Sequence, residues 1–160
     1  IYHGGDKRPR RIFYFSLKAD EKNSEGAVIR SDKAKVTGAG STNFGEITFS
    51  KAGVYRFLIT EDKGSETGYT YDGSQWTLTV TVTDENGALK VSSAVYAKDG
   101  TDSSGTEAAE FINRYEAAKP AAAKTGDGMD AGRSAALMAG SAFLIGVVFC
   151  IRRKRRGSIR

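Results

Sequence analysis

Trp76-Thr77-Leu78-Thr79-Val80-Thr81-Val82-Thr83 is the stretch on which the fold turns. Apolar and hydroxyl side chains alternate along it without a break, and an extended strand converts that alternation into one dry face and one wet face. Asp84-Glu85-Asn86-Gly87 follows. Asn-Gly tolerates the positive φ that a type I′ hairpin turn requires at both central positions. Leu89, Val91 and Val95 continue on the return strand. Upstream the same period recurs: Phe13, Phe15 and Leu17 alternate with Tyr14 and Ser16, and Ile47 and Phe49 alternate with Glu46, Thr48 and Ser50. Clusters rich in Gly and Ser at 38–41, 64–68 and 100–105 separate the runs. No ten-residue window between Arg11 and Tyr115 carries a helical stripe. Short antiparallel strands, each with one wet face, predict an all-β, immunoglobulin-like two-sheet sandwich.

Charge and composition narrow the function. The formal net charge is +5, yet Arg152, Arg153, Lys154, Arg155, Arg156 and Arg160 all fall in the last nine residues, leaving −1 for residues 1–151. A nucleic-acid groove places its cations on a folded face, with aromatics among them. Here they follow an apolar run, so nucleic acid is not an expected partner. Cys150 is the single cysteine and His3 the single histidine. An intramolecular disulfide is excluded, and neither a structural metal site nor a Ser/His/Asp or Cys/His catalytic set is expected. No cofactor is implied, and the chain does not read as an enzyme. The threonines from Thr77 to Thr83 read as a solvated strand face. Gly100–Gly105 reads as a loop, because no helix follows it to cradle a phosphate.

After Tyr115 the pattern changes. Ala117-Ala118-Lys119-Pro120-Ala121-Ala122-Ala123-Lys124 is a small-residue spacer. From Ala135 to Ile151 run seventeen residues without a charge. As a helix they would span about 25 Å at roughly 1.5 Å per residue, at the short edge of a bilayer core of about 30 Å. The basic cluster directly behind them places that end in the cytoplasm. The expected organisation is a sandwich over 1–116, a linker over 117–133, a transmembrane helix over 134–151 and a basic tail over 152–160. The chain opens at Ile1 with no apolar leader, so its start is expected upstream.

Two polar residues stand out by parity. Tyr55, Phe57, Ile59 and Glu61 share one face of a strand, and Phe111, Asn113 and Tyr115 share a face of another. A carboxyl and an amide are thereby turned inward among aromatics, where an unpaired polar group costs several kcal/mol on apolar-transfer scales.

The stretch Phe49–Glu61 (FSKAGVYRFLITE), Gly68-Tyr69-Thr70-Tyr71, Trp76–Val82 and the closing Phe111-Ile112-Asn113-Arg114-Tyr115 together resemble the streptococcal pilin isopeptide-linkage domain, the FctA-type module. The resemblance covers roughly residues 1–116 and implies a CnaB-like sandwich. In that family a lysine on the first strand forms an amide with the asparagine of the Phe-x-Asn-x-Tyr end, assisted by a glutamate. By motif, Asn113 is then the acceptor and Glu61 the assisting acid. Burial raises a carboxyl pKa and lowers an amine pKa. A protonated Glu61 would polarise the Asn113 carbonyl while a neutral lysine attacks and ammonia leaves. The family lysine precedes a Gly-containing turn and a Phe-x-Phe strand, here Gly4-Gly5 and Phe13-Tyr14-Phe15, so the donor is expected at or upstream of Ile1. Lys7 sits in a Gly/Pro loop and Lys18 has outward parity, which makes both poor donors. Tyr96-Ala97-Lys98-Asp99 is faintly similar to the pilin motif whose lysine accepts the next subunit, without its proline and asparagine.

Lys124-Thr125-Gly126-Asp127, the apolar span and the basic end, in that order, resemble the cell-wall sorting signal cleaved by sortases. Ala122 and Ala123 stand where the usual Leu-Pro-x-Thr-Gly form has Leu and Pro. The resemblance implies cleavage between Thr125 and Gly126 and transfer of the Thr125 carbonyl to an amine of peptidoglycan or of another pilin. The implied partners are a sortase, peptidoglycan or other pilin subunits, and a membrane through residues 135–151. The implied setting is the cell wall of a Gram-positive surface. A structural pilus or adhesin subunit is the leading expectation. A surface ligand-binding module and an unprocessed single-pass membrane protein stay open beside it.

Overall fold

A computed structural model of the chain describes residues 11–23, 25–101, 107–116 and 139–151. Ten strands are described: β1 (Ile12–Ala19), β2 (Ala27–Ile29), β3 (Lys33–Thr37), β4 (Gly40–Phe49), β5 (Gly53–Asp62), β6 (Tyr69–Thr70), β7 (Gln75–Glu85), β8 (Ala88–Lys98), β9 (Ala109–Tyr115) and β10 (Ala139–Ile151). In β7 Trp76, Leu78, Val80 and Val82 are buried, and the threonines between them are half-buried. At the turn into β8, Asn86 (φ 56°) and Gly87 (φ 84°) both take positive φ, as a type I′ hairpin demands. The Gly87 N–H donates to Asp84 Oδ1 at 2.6 Å, closing the turn.

The strands form two five-stranded sheets. One has the order β3-β1-β5-β7-β8 and is antiparallel throughout. The other has the order β2-β4-β10-β9-β6. Their inner faces meet in an aromatic core. Phe15 of β1 lies 5.2 Å from Phe111 of β9, and Phe49 of β4 lies 4.9 Å from Tyr55 of β5, measured between ring centroids. All four are fully buried, and each such side chain stabilises the fold by about 1.5–3 kcal/mol. The Trp76 indole N–H also crosses to the second sheet, donating to the Glu110 carbonyl at 3.0 Å.

Hydropathy predicts a helix over 134–151, whereas the structure has Ala139–Ile151 as strand β10. It runs parallel to β4 and antiparallel to β9, with Ser141 opposite Asn113. Residues 134–138 lie outside the described residues. Apolar length alone does not choose between helix and strand, and Phe143, Ile145, Val147, Val148, Phe149 and Ile151 are residue types that strands favour. Facing main-chain groups on β4 and β9 would be left without ladder partners if nothing lay between them, and the apolar run supplies those partners. Its pairing with β4 is the one parallel ladder among the described strands, a departure from the purely antiparallel expectation. No helix among the described residues is long and apolar enough to cross a membrane.

The short β6 is held by an unusual glycine. Gly68 has φ +84°, and a Cβ there would lie 2.5 Å from the Glu116 carbonyl oxygen and 3.0 Å from the Tyr115 ring. Gly68→Ala is therefore expected to destabilise the domain by about 1–3 kcal/mol. A thermal melt unchanged from the parent would contradict it.

Candidate functional site

Strand parity puts the two polar residues where the sequence predicts. Along β5, Tyr55, Phe57 and Ile59 are at most 1% exposed and Glu61 is 7% exposed; along β9, Ala109 and Phe111 are fully buried and Asn113 is 1% exposed. Glu61 pairs with Phe15 across β1 and β5, and the Phe15 ring packs on Phe111, two residues before Asn113. The sandwich thus brings an acid from one sheet against an amide from the other. Asn113 Nδ2 donates to Glu61 Oε1 at 2.5 Å.

The other end of the amide is held by a loop. The main-chain N–H of Asp72 donates to Asn113 Oδ1 at 2.6 Å. A main-chain N–H can only donate, so this contact fixes which end of the amide is oxygen and which faces Glu61. The Asp72 carboxylate is itself tied down. Its Oδ2 accepts from the Ile112 N–H at 2.7 Å, and its Oδ1 accepts from Ser74 N–H at 2.9 Å and Ser74 Oγ at 2.6 Å. Tyr69 and Tyr71 pack edge-on against Phe13 with centroids 5.7 and 6.1 Å away, and Tyr69 meets Tyr115 at a tilt with centroids 4.8 Å apart.

Glu61 Oε2 is buried and has no hydrogen-bond partner among the described residues. Burial pushes the Glu61 carboxyl up from 4.5 to about 7, against the opposing pull of the Asn113 amide and the Asp72 N–H, while the nearby charges of Asp72 and Asp62 add to the rise. Asp72 is shifted the other way. Burial raises it, but its bonds from Ser74 and Ile112 outweigh that and hold it below its usual value. Near neutrality the site therefore holds a carboxyl that carries its proton part of the time, an amide clamped at both ends, and one oxygen with no partner among the described residues.

The geometry departs from the sequence reading in one respect. Glu61 faces the nitrogen of the Asn113 amide, and it is the Asp72 N–H that faces the carbonyl oxygen. Asp72 escaped the sequence reading, although Asp72-Gly73-Ser74 has the composition of a turn in which an aspartate binds the main chain two residues on.

The lysines distribute as follows. Lys18 is exposed on β1. Lys33 Nζ lies 2.9 Å from Asp62 Oδ2 and 2.6 Å from Ser16 Oγ. Lys98 sits 5.9 Å from the Trp76 ring centroid. His3, Lys7, the linker and the Lys124–Asp127 motif lie outside the described residues. Among the described residues no cluster of His, Cys, Asp and Glu could hold a metal.

The family model of the Spy0128-like isopeptide containing domain, FctA, matches residues 2–116, which span every strand described here except β10. The chain belongs to the FctA family. Both members of the buried Glu61–Asn113 pair lie inside the matched region, and the match of the FctA domain ends just before the alanine-rich spacer. Among solved structures, the FctA chain is similar to the major pilin of Streptococcus pyogenes at 18% identity and a TM-score of 0.47. The likeness covers 86% of this chain and 65% of that pilin. Among curated proteins no significant match is found.

Proposed function

We propose that this FctA domain is a structural module of a Gram-positive surface pilus or adhesin. In this reading it is stapled by a Lys–Asn isopeptide bond at Asn113 and anchored to the wall by a sortase. The observation that carries the reading is the buried acid–amide pair with one carboxyl oxygen that has no partner among the described residues. A native interior rarely leaves such an atom orphaned, and one that persists calls for an explanation. An amine entering beside Oε2 would satisfy it.

The chemistry balances as follows. The lysine nitrogen bonds to Cγ of Asn113, the Cγ–Nδ2 bond breaks and ammonia leaves. One proton passes from the amine to Nδ2. The two oxygens of Glu61 suit that transfer, because Oε1 already touches Nδ2 and Oε2 is free for the amine. Holding amine and amide together supplies much of the rate, up to about 7–11 kcal/mol for well-oriented groups. The donor lysine belongs to a strand upstream of Ile1, and the product ties the first strand to the last in a chain with no cysteine pair.

Anchoring uses Thr125 and Gly126. Before sorting, residues 135–151 span the membrane as a helix, with Arg152–Arg156 on the cytoplasmic side. Cleavage between Thr125 and Gly126 hands the Thr125 carbonyl to peptidoglycan or to another subunit and removes the β10 segment. While residues 135–151 lie in the membrane, the upstream strand holds the place between β4 and β9 that Ala139–Ile151 takes in this structure. Incubation with a sortase and a peptidoglycan-like amine is expected to release residues 126–160 and leave the amine on Thr125. A chain that stays intact under every sortase class tried would remove the anchoring half of this reading.

A further inference from the structure

Beyond the acid and the acceptor, the site holds a third participant. Asn113 Oδ1 receives the Asp72 N–H at 2.6 Å, and this is the oxygen on which negative charge develops when an amine adds to Cγ. A main-chain N–H already aimed at that oxygen in a buried site costs no reorganisation as the charge appears. The N–H is held in place through its own side chain. The carboxylate of the same residue is bound by Ile112 of β9 and twice by Ser74. The tie to Ile112 matters most, because Ile112 directly precedes Asn113 in the chain. One residue thus fastens its loop to the strand that bears the acceptor and presents its own N–H to the acceptor's oxygen.

We propose that the main-chain N–H of Asp72 is the oxyanion donor for amide exchange at Asn113, and that the Asp72 carboxylate is a positioning group that aims it. The inference rests on the isopeptide reading above and assigns the carbonyl to a different group from Glu61. Glu61 serves the two nitrogens and Asp72 serves the oxygen. As the amine adds, the Cγ–Oδ1 double bond opens onto the oxygen facing Asp72. It closes again as Nδ2 departs with the proton that Glu61 relays.

The test uses the chain carried on its own upstream sequence, taken at full, unreacted mass from insoluble unfolded material in denaturant and folded by dilution. Folding is followed by the fluorescence of buried Trp76 and bond formation by loss of ammonia in intact mass. Asp72→Ala is expected to refold and then lose ammonia about tenfold to a hundredfold more slowly per folded molecule. The midpoint of its pH–rate profile should move only slightly downward, because the Asp72 charge is one of the lesser causes that raise Glu61. Asp72→Asn, which keeps an acceptor for the Ile112 N–H, is expected to recover most of the rate. A purely structural role would lower the folded fraction and leave the rate per folded molecule alone. Asp72→Ala within twofold of the parent rate overturns the proposal, as does an Asp72→Asn no faster than alanine. Should Asp72→Ala fail to refold, Ser74→Ala decides, since it removes one of the three bonds to the carboxylate. A severalfold slowing supports the proposal and an unchanged rate overturns it. A parent chain that folds and loses no ammonia would overturn the isopeptide reading itself, and this inference with it.

Discussion

In the chain carried on its upstream sequence, the parent is expected to weigh one ammonia less than its composition, and Asn113→Ala is expected to weigh its full value. Two contributions to stability should separate cleanly. The first is the loss of the polar pair. Alanine at 113 leaves Glu61 Oε1 and the Asp72 N–H without the partners they have at 2.5 and 2.6 Å, and an orphaned buried group costs about 1–3 kcal/mol. The second is the loss of the staple. A cross-link from upstream of Ile1 to Asn113 closes a loop longer than a hundred residues, for which the chain-entropy estimate made for disulfides is about 5 kcal/mol. The chain beginning at Ile1 is expected to show only the first contribution when Asn113 is replaced, and the extended chain both. Urea midpoints of the four proteins measure the two separately. Equal losses in the short and extended chains, or an unmutated extended chain of full mass, would defeat the prediction.

Much of the fold was legible because a strand's period is exposed in its composition. Trp76 to Val82 alternates in burial as it alternates in residue type, and Asn86-Gly87 takes the two positive φ values its chemistry permits. The same parity placed Glu61 and Asn113 on inward faces. It did not show that they touch. They lie 52 residues apart and on different sheets, and a strand pattern states which face is buried without stating what lies opposite. Asp72 was harder still, because it reaches Asn113 through a main-chain N–H, a group common to every residue but proline. Only its side-chain turn with Ser74 leaves a local mark. The apolar run at 139–151 is ambiguous for a third reason. Hydrophobicity measures aversion to water, and both a bilayer and an open place in a β-sheet remove a segment from water.

The acid should announce itself in the pH dependence of stability. Burial above all raises the Glu61 carboxyl of the folded chain to about 7, against 4.5 for a free glutamate carboxyl. Between those two values the folded state holds a proton that the unfolded state has released. Stability must therefore fall as pH rises through this window, with the cost complete above 7 and absent below 4.5. Allowing for solvent screening, the expected fall is about 2 kcal/mol. Asp62 and Asp72 act in the opposite sense, since both are held below 3.8 and lose their contribution only as the solution is acidified past that range. The window from 4.5 to 7 is thus separated from theirs. Glu61→Gln keeps the shape and removes the titration, so the difference in slope between parent and variant isolates this carboxyl from every other group, His3 included. Bond formation should respond more steeply. Glu61→Ala removes both oxygens and, with them, the proton route from amine to leaving nitrogen, a contribution of about 10²–10⁴-fold for positioned acid–base groups. Parallel stability profiles for parent and Glu61→Gln would mean that water reaches the carboxyl, and an acid that is already hydrated has no reason to hold a proton at neutral pH for an amine to meet.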